Sequence, residues 1–370
     1  MSHIVIDARI INSTTGRYVE RLLTHLQAID TVTQYTVLVP TKDLAYWQPT
    51  HKNFTVIAAD FANYSFAEQI GLKRFLDALK PDLVHFCMPQ QPVFYKGAHV
   101  TTVHDLTLLH TYNSDKNWLM FHAKQLVGKF VFKHVARTSS HIITPSQYVK
   151  NAYAEFAGID KNKITVTHEA AEAATDKETT IELPYKKFLL YVGQQSDYKN
   201  IKRLGGAHQR LLEGHPELGL VLVGKKTPAH KRNEAYFAKN AYTNIHFTGF
   251  VTDEQLAWLY RHCAAYVFPS LTEGFGLPGL EAMAYGAPVV SSDRTCLPEI
   301  YEKAAWYFDP EDIQDMTERI GQVLDDKLLR KELIKNGTNQ VKWYSWSKMA
   351  AETHTVYMNA LRDATNSAER

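Results

Sequence analysis

One stretch limits the architecture more than any other: AYVFPSLTEGFGLPGLEAMAYGAPVVSSD, Ala265 to Asp293. Ala265–Pro269 is a short apolar run suited to a buried parallel strand. Ser270 to Gly276 is a loop with two glycines and one carboxylate, Glu273. Pro278 stands where a first helical residue tolerates a missing N–H. Leu280, Met283 and Ala284 continue at helical spacing, and Gly286 suits the residue after a helix C-terminus. Val289–Ser292 is the next strand. A strand–loop–helix–strand unit of this kind belongs in a parallel sheet covered by helices.

The chemistry lies in the loop. Amides around Phe275, Gly276 and Leu277 point out of a helix N-terminus, which is an anion site suited to a diphosphate. Glu273 precedes the helix and Glu281 lies in its first turns. Carboxylates accept hydrogen bonds from sugar hydroxyls and do not hold phosphate. A phosphate cradle between two hydroxyl acceptors describes a pocket for a nucleotide-diphosphate sugar. The plainer reading is a generic βαβ unit whose glutamates only solvate a helix.

The same alternation runs through the chain. Strands are expected at Ile4–Ile6, Tyr35–Val39, Phe54–Ala58, Asp82–Phe86, Val100–Val103, His141–Thr144 and Ile164–Thr167, with helices over Arg17–Leu26 and Phe66–Leu79. Ser146 suits a helix N-cap. Ala170 to Pro184 is polar and irregular and reads as a linker. The pattern then restarts. Strands are expected at Phe188–Val192, Leu218–Val223, Ile245–Thr248 and Ala304–Phe308, and helices at Asp253–Arg261, Pro310–Leu324 and Lys327–Val341. A last helix runs to about Arg362, capped by Ser345 or Ser347. At 370 residues, two domains are expected, each an α/β sheet of Rossmann-like type. No G-x-G-x-x-G follows the first strand, which argues against a dinucleotide enzyme.

Composition excludes several classes. A net charge of +2 does not argue for nucleic acid. Cys87, Cys263 and Cys296 lack metal-ligand spacing and sit near apolar runs, as reduced core residues do. With no signal-peptide pattern and no apolar run of membrane-spanning length, a cytoplasmic protein is expected, at most associated with the inner face of a membrane. Lys116 to Arg137 is basic and aromatic, carrying Trp118, Phe121, Phe130 and Phe132 with Lys124, Lys129, Lys133 and Arg137. It fits a membrane-surface helix that brings an enzyme to a lipid-linked acceptor. The favoured reading is a core helix with a solvated basic face, packed through positions 119, 123, 126, 127, 130 and 134.

Glu273-Gly-Phe-Gly-Leu-Pro-Gly-Leu-Glu281 resembles the E-x7-E motif of GT4-type retaining glycosyltransferases with the GT-B fold. Other blocks stand in that family's order: His104-Asp105, Val192-Gly193 followed by Lys199-Asn200, Phe247-Thr-Gly-Phe-Val251, and Leu297-Pro-Glu-Ile300. The resemblance covers roughly residues 3–350. It implies two Rossmann-like domains facing across a cleft. Residues 1–170 would be the acceptor domain, 171–184 the linker and 185–345 the donor domain. A terminal helix, 346–370, would cross back to the first domain.

By this resemblance Glu281 accepts from ribose hydroxyls and Glu273 from a hydroxyl of the donor sugar. The amides of Gly274, Phe275, Gly276 and Leu277 hold the distal phosphate. Lys199 contacts the diphosphate and stabilises the leaving group, the plainer alternative being a solvated loop lysine. Val251 touches the base through its backbone. Gln194 stands where relatives often carry an arginine, so one phosphate contact is weakened or comes from elsewhere. His104 lies on the acceptor side near the donor sugar, and Asp105 orients the loop or the histidine. Gly16, in a loop with one glycine where the family often has two, either faces the donor or makes an ordinary strand-to-helix turn. Glu299 is open between capping and ligand roles.

No Asp-x-Asp occurs, so no metal or other cofactor is expected. The partners expected are a nucleotide-sugar donor and a glycan or lipid-linked acceptor. The function implied is transfer of a hexose, of GDP-mannose or UDP-glucose type. The competing classes are a GT-B-like sugar-nucleotide epimerase, a sugar phosphorylase, and a non-catalytic sugar-nucleotide binding protein.

Overall fold

A computed structural model describes residues 1–13, 15–63, 65–110 and 118–368, with backbone alone for 110, 118–124, 367 and 368. The chain forms two compact units. The first comprises Met1–Leu109, Ala123–Glu169 and Ser345–Arg370. The second comprises His110–His122 and Ala170–Tyr344.

The first unit holds strands β1 (His3–Asp7), β2 (Gln34–Val39), β3 (Phe54–Ala58), β4 (Leu83–Phe86), β5 (His99–Thr102), β6 (His141–Thr144) and β7 (Ile164–Val166). They form one sheet in the order β3-β2-β1-β4-β5-β6-β7, every pairing parallel. The chain reverses direction across the sheet between β1 and β4. In such sheets ligands bind beyond the carboxyl ends of the strands at that switch. Most of the strands read as nearly continuous apolar runs, β5 (HVTT) being an exception, because helices cover both faces. Leu22 and Leu26, at helical spacing on the helix Gly16–Ile29, are fully buried, as are Ile4, Val5 and Ile6 on β1.

The helix Trp346–Ala368 packs on this first unit beside Gly16–Ile29. His354 Nε2 lies 2.9 Å from Asp30 Oδ2, and Tyr357 Oη lies 2.6 Å from His85 Nδ1 on β4. The helix runs six residues past the expected Arg362, its first turn capped by the Ser345 hydroxyl.

The second unit holds β8 (Lys187–Val192), β9 (Leu218–Val223), β10 (Ile245–Gly249), β11 (Ala265–Phe268), β12 (Val289–Ser292) and β13 (Ala305–Phe308). Their order is β10-β9-β8-β11-β12-β13, again with every pairing parallel, and the switch lies between β8 and β11. Its core runs from Phe188 and Leu189 through Val267, Phe268 and Met283 to Ile320. The three cysteines are buried and form no disulfide. Residues 170–184 carry no helix or strand.

Two expectations fail. The segment expected as one helix from Phe66 begins with a π-helical turn, Ala67–Leu72, before the helix Lys73–Leu79, and Phe66 is exposed. The wider turn rotates Glu68 inward, where its carboxylate bonds the buried Arg9 guanidinium at 2.9 Å. The helix Trp118–Thr138 does not pack through the face expected. Leu126, Val127 and Phe130 are exposed, while Val131, Phe132, Val135 and Ala136 are buried. The β-branched stripe at 131 and 135, with Phe132, fits the sheet-side core better than the bulkier row one turn earlier. The side chains of positions 119 and 123 lie outside the described residues, as do those of Trp118, Phe121 and Lys124. Thr14, Tyr64 and Lys116 lie outside them altogether.

Candidate active site

At the switch point of the second unit, two loops leave neighbouring strand ends. The first leaves β8 through Gly193. A side chain at Gly224 would put a Cβ 2.2 Å from the Gly193 carbonyl oxygen, so the ends of β8 and β9 approach as closely as they do only because Gly224 has none. The loop then makes a 3₁₀ turn, Asp197–Lys199, and Asn200 adopts a left-handed conformation, φ 62°. Asn200 is one residue that sequence reasoning did not single out by role. Its buried amide donates to the carbonyls of Pro269 (3.1 Å) and Pro310 (2.7 Å). Leu271 N–H donates to the Tyr198 carbonyl at 2.8 Å. The loop after β8 is thereby fixed to the loop after β11.

This joint sets the central contact. Lys199 Nζ lies 2.5 Å from Glu273 Oε1, each side chain 13% exposed, across 74 residues of sequence. The ammonium also sits 5.4 Å from the Phe268 ring and 5.1 Å from the Tyr198 ring. Burial alone would lower the pKa of Lys199. The Glu273 carboxylate reverses that and holds it well above the ordinary range for lysine. Glu273 is itself held by its backbone, since its N–H donates to Thr295 Oγ1 (3.1 Å).

Glu273 leads directly into the helix Leu277–Ala284, with Pro278 in its first turn. Gly276 starts it in the left-handed region, φ 95°. Tyr301 donates from its hydroxyl to the Gly276 carbonyl at 2.5 Å, and a Cβ at Gly276 would collide with that same hydroxyl. The glycine is therefore required twice, by φ and by space, and the chain enters the helix with the amides of residues 274–277 at its positive end. Phe275 is buried edge-on against Tyr344, ring centroids 5.4 Å apart. Glu281 lies four residues into the helix, its Oε2 3.5 Å from the Tyr260 hydroxyl. Val251 is buried just after Gly249 and the exposed Phe250.

Gln194 is exposed, and the contact it makes through its backbone is a carbonyl accepting from Tyr191 Oη at 2.6 Å. The guanidinium of Arg203 donates to Asn200 Oδ1 at 3.1 Å and so braces the lysine loop. Glu299 stands in the first turn of the short helix Leu297–Tyr301. Among the described residues no three His, Cys, Asp or Glu side chains converge as a metal site would need.

In the first unit, His104 follows β5. Its Nε2 donates to the Cys87 carbonyl (3.0 Å), its Nδ1 meets Glu169 Oε1 at 3.2 Å, and the Tyr18 ring packs edge-on at 4.7 Å. Glu169, three residues past β7, gives no local sequence signal for this role. Asp105 accepts from Thr107 N–H at 2.8 Å and so shapes the loop. Gly16 begins the helix Gly16–Ile29. A side chain there would put a Cβ 1.8 Å from the Ile11 carbonyl oxygen. The site residues fall into two sets: Gln194, Lys199, Val251, Glu273–Leu277 and Glu281 in the second unit, Gly16 and His104 in the first.

Family models match both halves of the chain. The family described as "Glycosyl transferases group 1" matches residues 174–340, and "Glycosyltransferase Family 4" matches residues 15–172. "O-antigen chain mannosyltransferase B" of Escherichia coli is 34% identical over 178 residues, 48% of this chain and 47% of that protein. The chain spans 47% and 32% of the length of two of the curated relatives it matches first. Sucrose-phosphate synthase from Thermosynechococcus elongatus superposes with a TM-score of 0.77 at 18% identity, over 98% of this chain and 100% of that one. Anabaena HepE in complex with UDP and glucose superposes with a TM-score of 0.72 at 16% identity, over 97% and 99%. At such identities these likenesses fix the fold alone, and the fold is GT-B.

Proposed function

The chain belongs to the GT4-type glycosyltransferases, and from that premise we propose a retaining hexosyltransferase that takes its sugar from a nucleotide-diphosphate donor. GDP-mannose is the first donor proposed and UDP-glucose the second. The acceptor is a hydroxyl of a glycan or a lipid-linked glycan. The mannosyltransferase named among the relatives supports the first donor, and the UDP and glucose bound by HepE support the second.

The observation that carries this reading is the Lys199–Glu273 pair at 2.5 Å beside the N-terminus of Leu277–Ala284. The pair supplies two different functions on either side of one point. A diphosphate at the helix N-terminus lies against amide donors and draws the ammonium of Lys199. Glu273, relieved of the lysine, accepts from a sugar hydroxyl. Glu281, further along the helix, accepts from the ribose. When the glycosidic bond to phosphate breaks, negative charge grows on the diphosphate. The fixed amides and Lys199 stabilise it more in the transition state than in the ground state. The acceptor hydroxyl attacks from the face the diphosphate leaves, which retains the anomeric configuration.

Incubation with a panel of sugar nucleotides, reading nucleotide release and the anomeric proton of the product, tests the reading. Release confined to one donor, with retained configuration, is expected. Release from no donor, with or without glycan acceptors, overturns it. Transfer is also expected to survive EDTA, because a helix N-terminus and Lys199 stand where a metal would otherwise balance charge. Activity lost to chelator and restored by Mg²⁺ or Mn²⁺ would contradict that.

A further inference from the structure

A small cavity lies at the switch point of the first sheet, just past the ends of β1 and β4. Its volume is about 10 Å³, and its walls are Asp7, Arg9, Ile10, Asn63, Met88 and Gln90. All six belong to the first unit. That is room for one water or one hydroxyl group. None of the side chains assigned to the reaction lines it.

Arg9 builds the cavity. Its Nε and Nη2 each lie 2.8 Å from an Asp7 carboxylate oxygen, and Nη2 also lies 2.9 Å from Glu68 Oε1. Its Nη1 donates to the Phe61 carbonyl at 2.7 Å. One arginine thus ties both ends of the loop 61–68 to the end of β1. Ser65 ties the same loop to itself, donating to the Ala62 carbonyl (2.6 Å) and accepting from Glu68 N–H (3.1 Å). One guanidinium between two carboxylates leaves the cluster one negative charge. A phosphate or carboxylate is therefore repelled, and an uncharged group is admitted.

Gln90 points to the ligand class. It is 8% exposed, and its side chain bonds no other described residue. A buried amide without a partner is costly, and this one keeps its donors and its acceptor for a ligand. The backbone beside it is fixed, since Gln91 Oε1 accepts from Thr101 (2.8 Å) and the Gln91 carbonyl accepts from Gln69 (3.1 Å). Gln69 Oε1 in turn accepts from Val93 N–H at 2.9 Å, which joins the π-helical turn Ala67–Leu72 to the loop after β4. Turns of that kind occur frequently at functional sites. Around this joint three large apolar side chains stand in solvent: Phe66 at 87% exposed, Phe94 at 71% and Ile70 at 52%. A sugar ring carries apolar C–H faces and a rim of hydroxyls. Aromatic surface beside a few fixed polar groups suits both.

We propose that this cavity is an acceptor subsite, which takes one hydroxyl of an uncharged sugar residue. That hydroxyl accepts from the Gln90 amide and donates to Asp7, while Phe66 and Phe94 contact the rest of the glycan. The name acceptor rests on the transfer reading; the binding itself is measured without a donor.

The test is saturation-transfer NMR on the full chain with methyl α-mannopyranoside and, separately, mannose 6-phosphate. The uncharged sugar is expected to bind, and the phosphorylated one to bind weaker by about tenfold or more. Gln90→Leu should abolish the signal. Phe94→Ser and Phe66→Ser, at exposed positions that do not bear on folding, should each weaken it severalfold. No signal from the mannoside overturns the proposal and leaves a cavity for water only. Equal binding of the two sugars, or full binding by Gln90→Leu or by both serine variants, also overturns it. The two readings fail separately. Nucleotide release without mannoside binding strikes the subsite and keeps the transfer. Binding that Gln90→Leu abolishes, with no nucleotide release from any donor, strikes the transfer and keeps a sugar site.

Discussion

The carboxyl ends of the two sheets solve the problem of buried polar groups in opposite ways. In the second unit the central contact at that end is ionic. Lys199 and Glu273 answer each other across one contact, beside amides at a helix start. In the first unit, beside the buried Asp7–Arg9–Glu68 ion cluster, the buried polar groups form a chain of neutral hydrogen bonds. Tyr357 meets His85 Nδ1, His85 Nε2 meets Thr102 Oγ1 at 2.8 Å, and Thr102 meets the Tyr18 hydroxyl at 2.9 Å. An ion pair standing on two separate loops is an arrangement in which a ligand's phosphate and hydroxyl can replace each partner. The hydrogen-bonded chain of fully buried side chains has every member committed to another element, so it holds the unit's shape and exchanges nothing. The contrast predicts that substitutions at the second edge show up in kinetics and binding, and those in the first unit's hydrogen-bonded chain in stability.

The largest break in that comparison comes from Lys199→Ala. We expect kcat to fall by ~10²-fold or more while donor affinity changes far less, comparable to deleting one oxyanion donor. Gln194 supplies no second charge nearby, so Gln194→Arg should be tolerated and should tighten donor binding in a salt-sensitive way. Steady-state kinetics with a working donor and acceptor measure both. A normal kcat in Lys199→Ala would move the leaving-group role to another cation, with Arg203 and Lys225 the first to examine. Glu273→Gln separates the two halves of the pair: nucleotide affinity is kept, and transfer falls on the order of tenfold or more because the sugar loses a charged acceptor. Next comes Glu281→Ala, which should weaken a bare nucleoside diphosphate by about 1.5–3 kcal/mol whatever sugar it carries. Calorimetry that finds the affinity unchanged would remove the ribose role.

The helix side of the second edge was legible in the sequence because its parts are local, whereas Lys199, 74 residues from Glu273, came from the resemblance alone. Glu273, Gly276, Pro278 and Glu281 fall within nine residues, and glycine, proline and carboxylate each signal a backbone or charge requirement that survives without tertiary context. The parallel strands were legible for a related reason, since burial on both faces makes most of them apolar runs of the right length. The first edge was not. His85, Thr102, Tyr18, His104, Glu169 and Tyr357 come from separate segments, and no spacing announces that they meet. Arg9 shows the same limit: it reads as a loop residue, yet is buried between Asp7 and Glu68, 59 residues away. The inverted face of Trp118–Thr138 has another cause. Apolar residues occur around most of that helix, so periodicity could not choose the buried side, and the fit of Val131 and Val135 against the core did.

The smallest expected effect sharpens the comparison through pH. Burial, with His104 as a lesser cause, pushes His85 down to about 3, and burial pushes His208 of the second unit down to about 4. Both rings are therefore neutral in the folded chain through mild acid, while the unfolded chain takes up a proton near the ordinary histidine pKa of about 6.5. The stability these rings contribute is fully present above about pH 6.5. It is lost as pH falls toward 4, because the unfolded state then binds the extra proton. Each such ring steepens the fall by at most about 1.4 kcal/mol per pH unit. His85→Gln should flatten the dependence of unfolding free energy on pH between 6.5 and 4 without moving kcat at pH 7. His208→Gln should flatten it similarly over a narrower window. Tyr357→Phe leaves the buried His85 Nδ1 with only the weak Cys87 thiol contact at 3.9 Å, so it should cost about 1–3 kcal/mol at neutral pH and keep the slope. Urea titrations at several pH values measure all three. A His85→Gln slope equal to wild type would mean that the ring is already protonated in the folded chain, and a fall in kcat at pH 7 would make this edge part of the reaction after all.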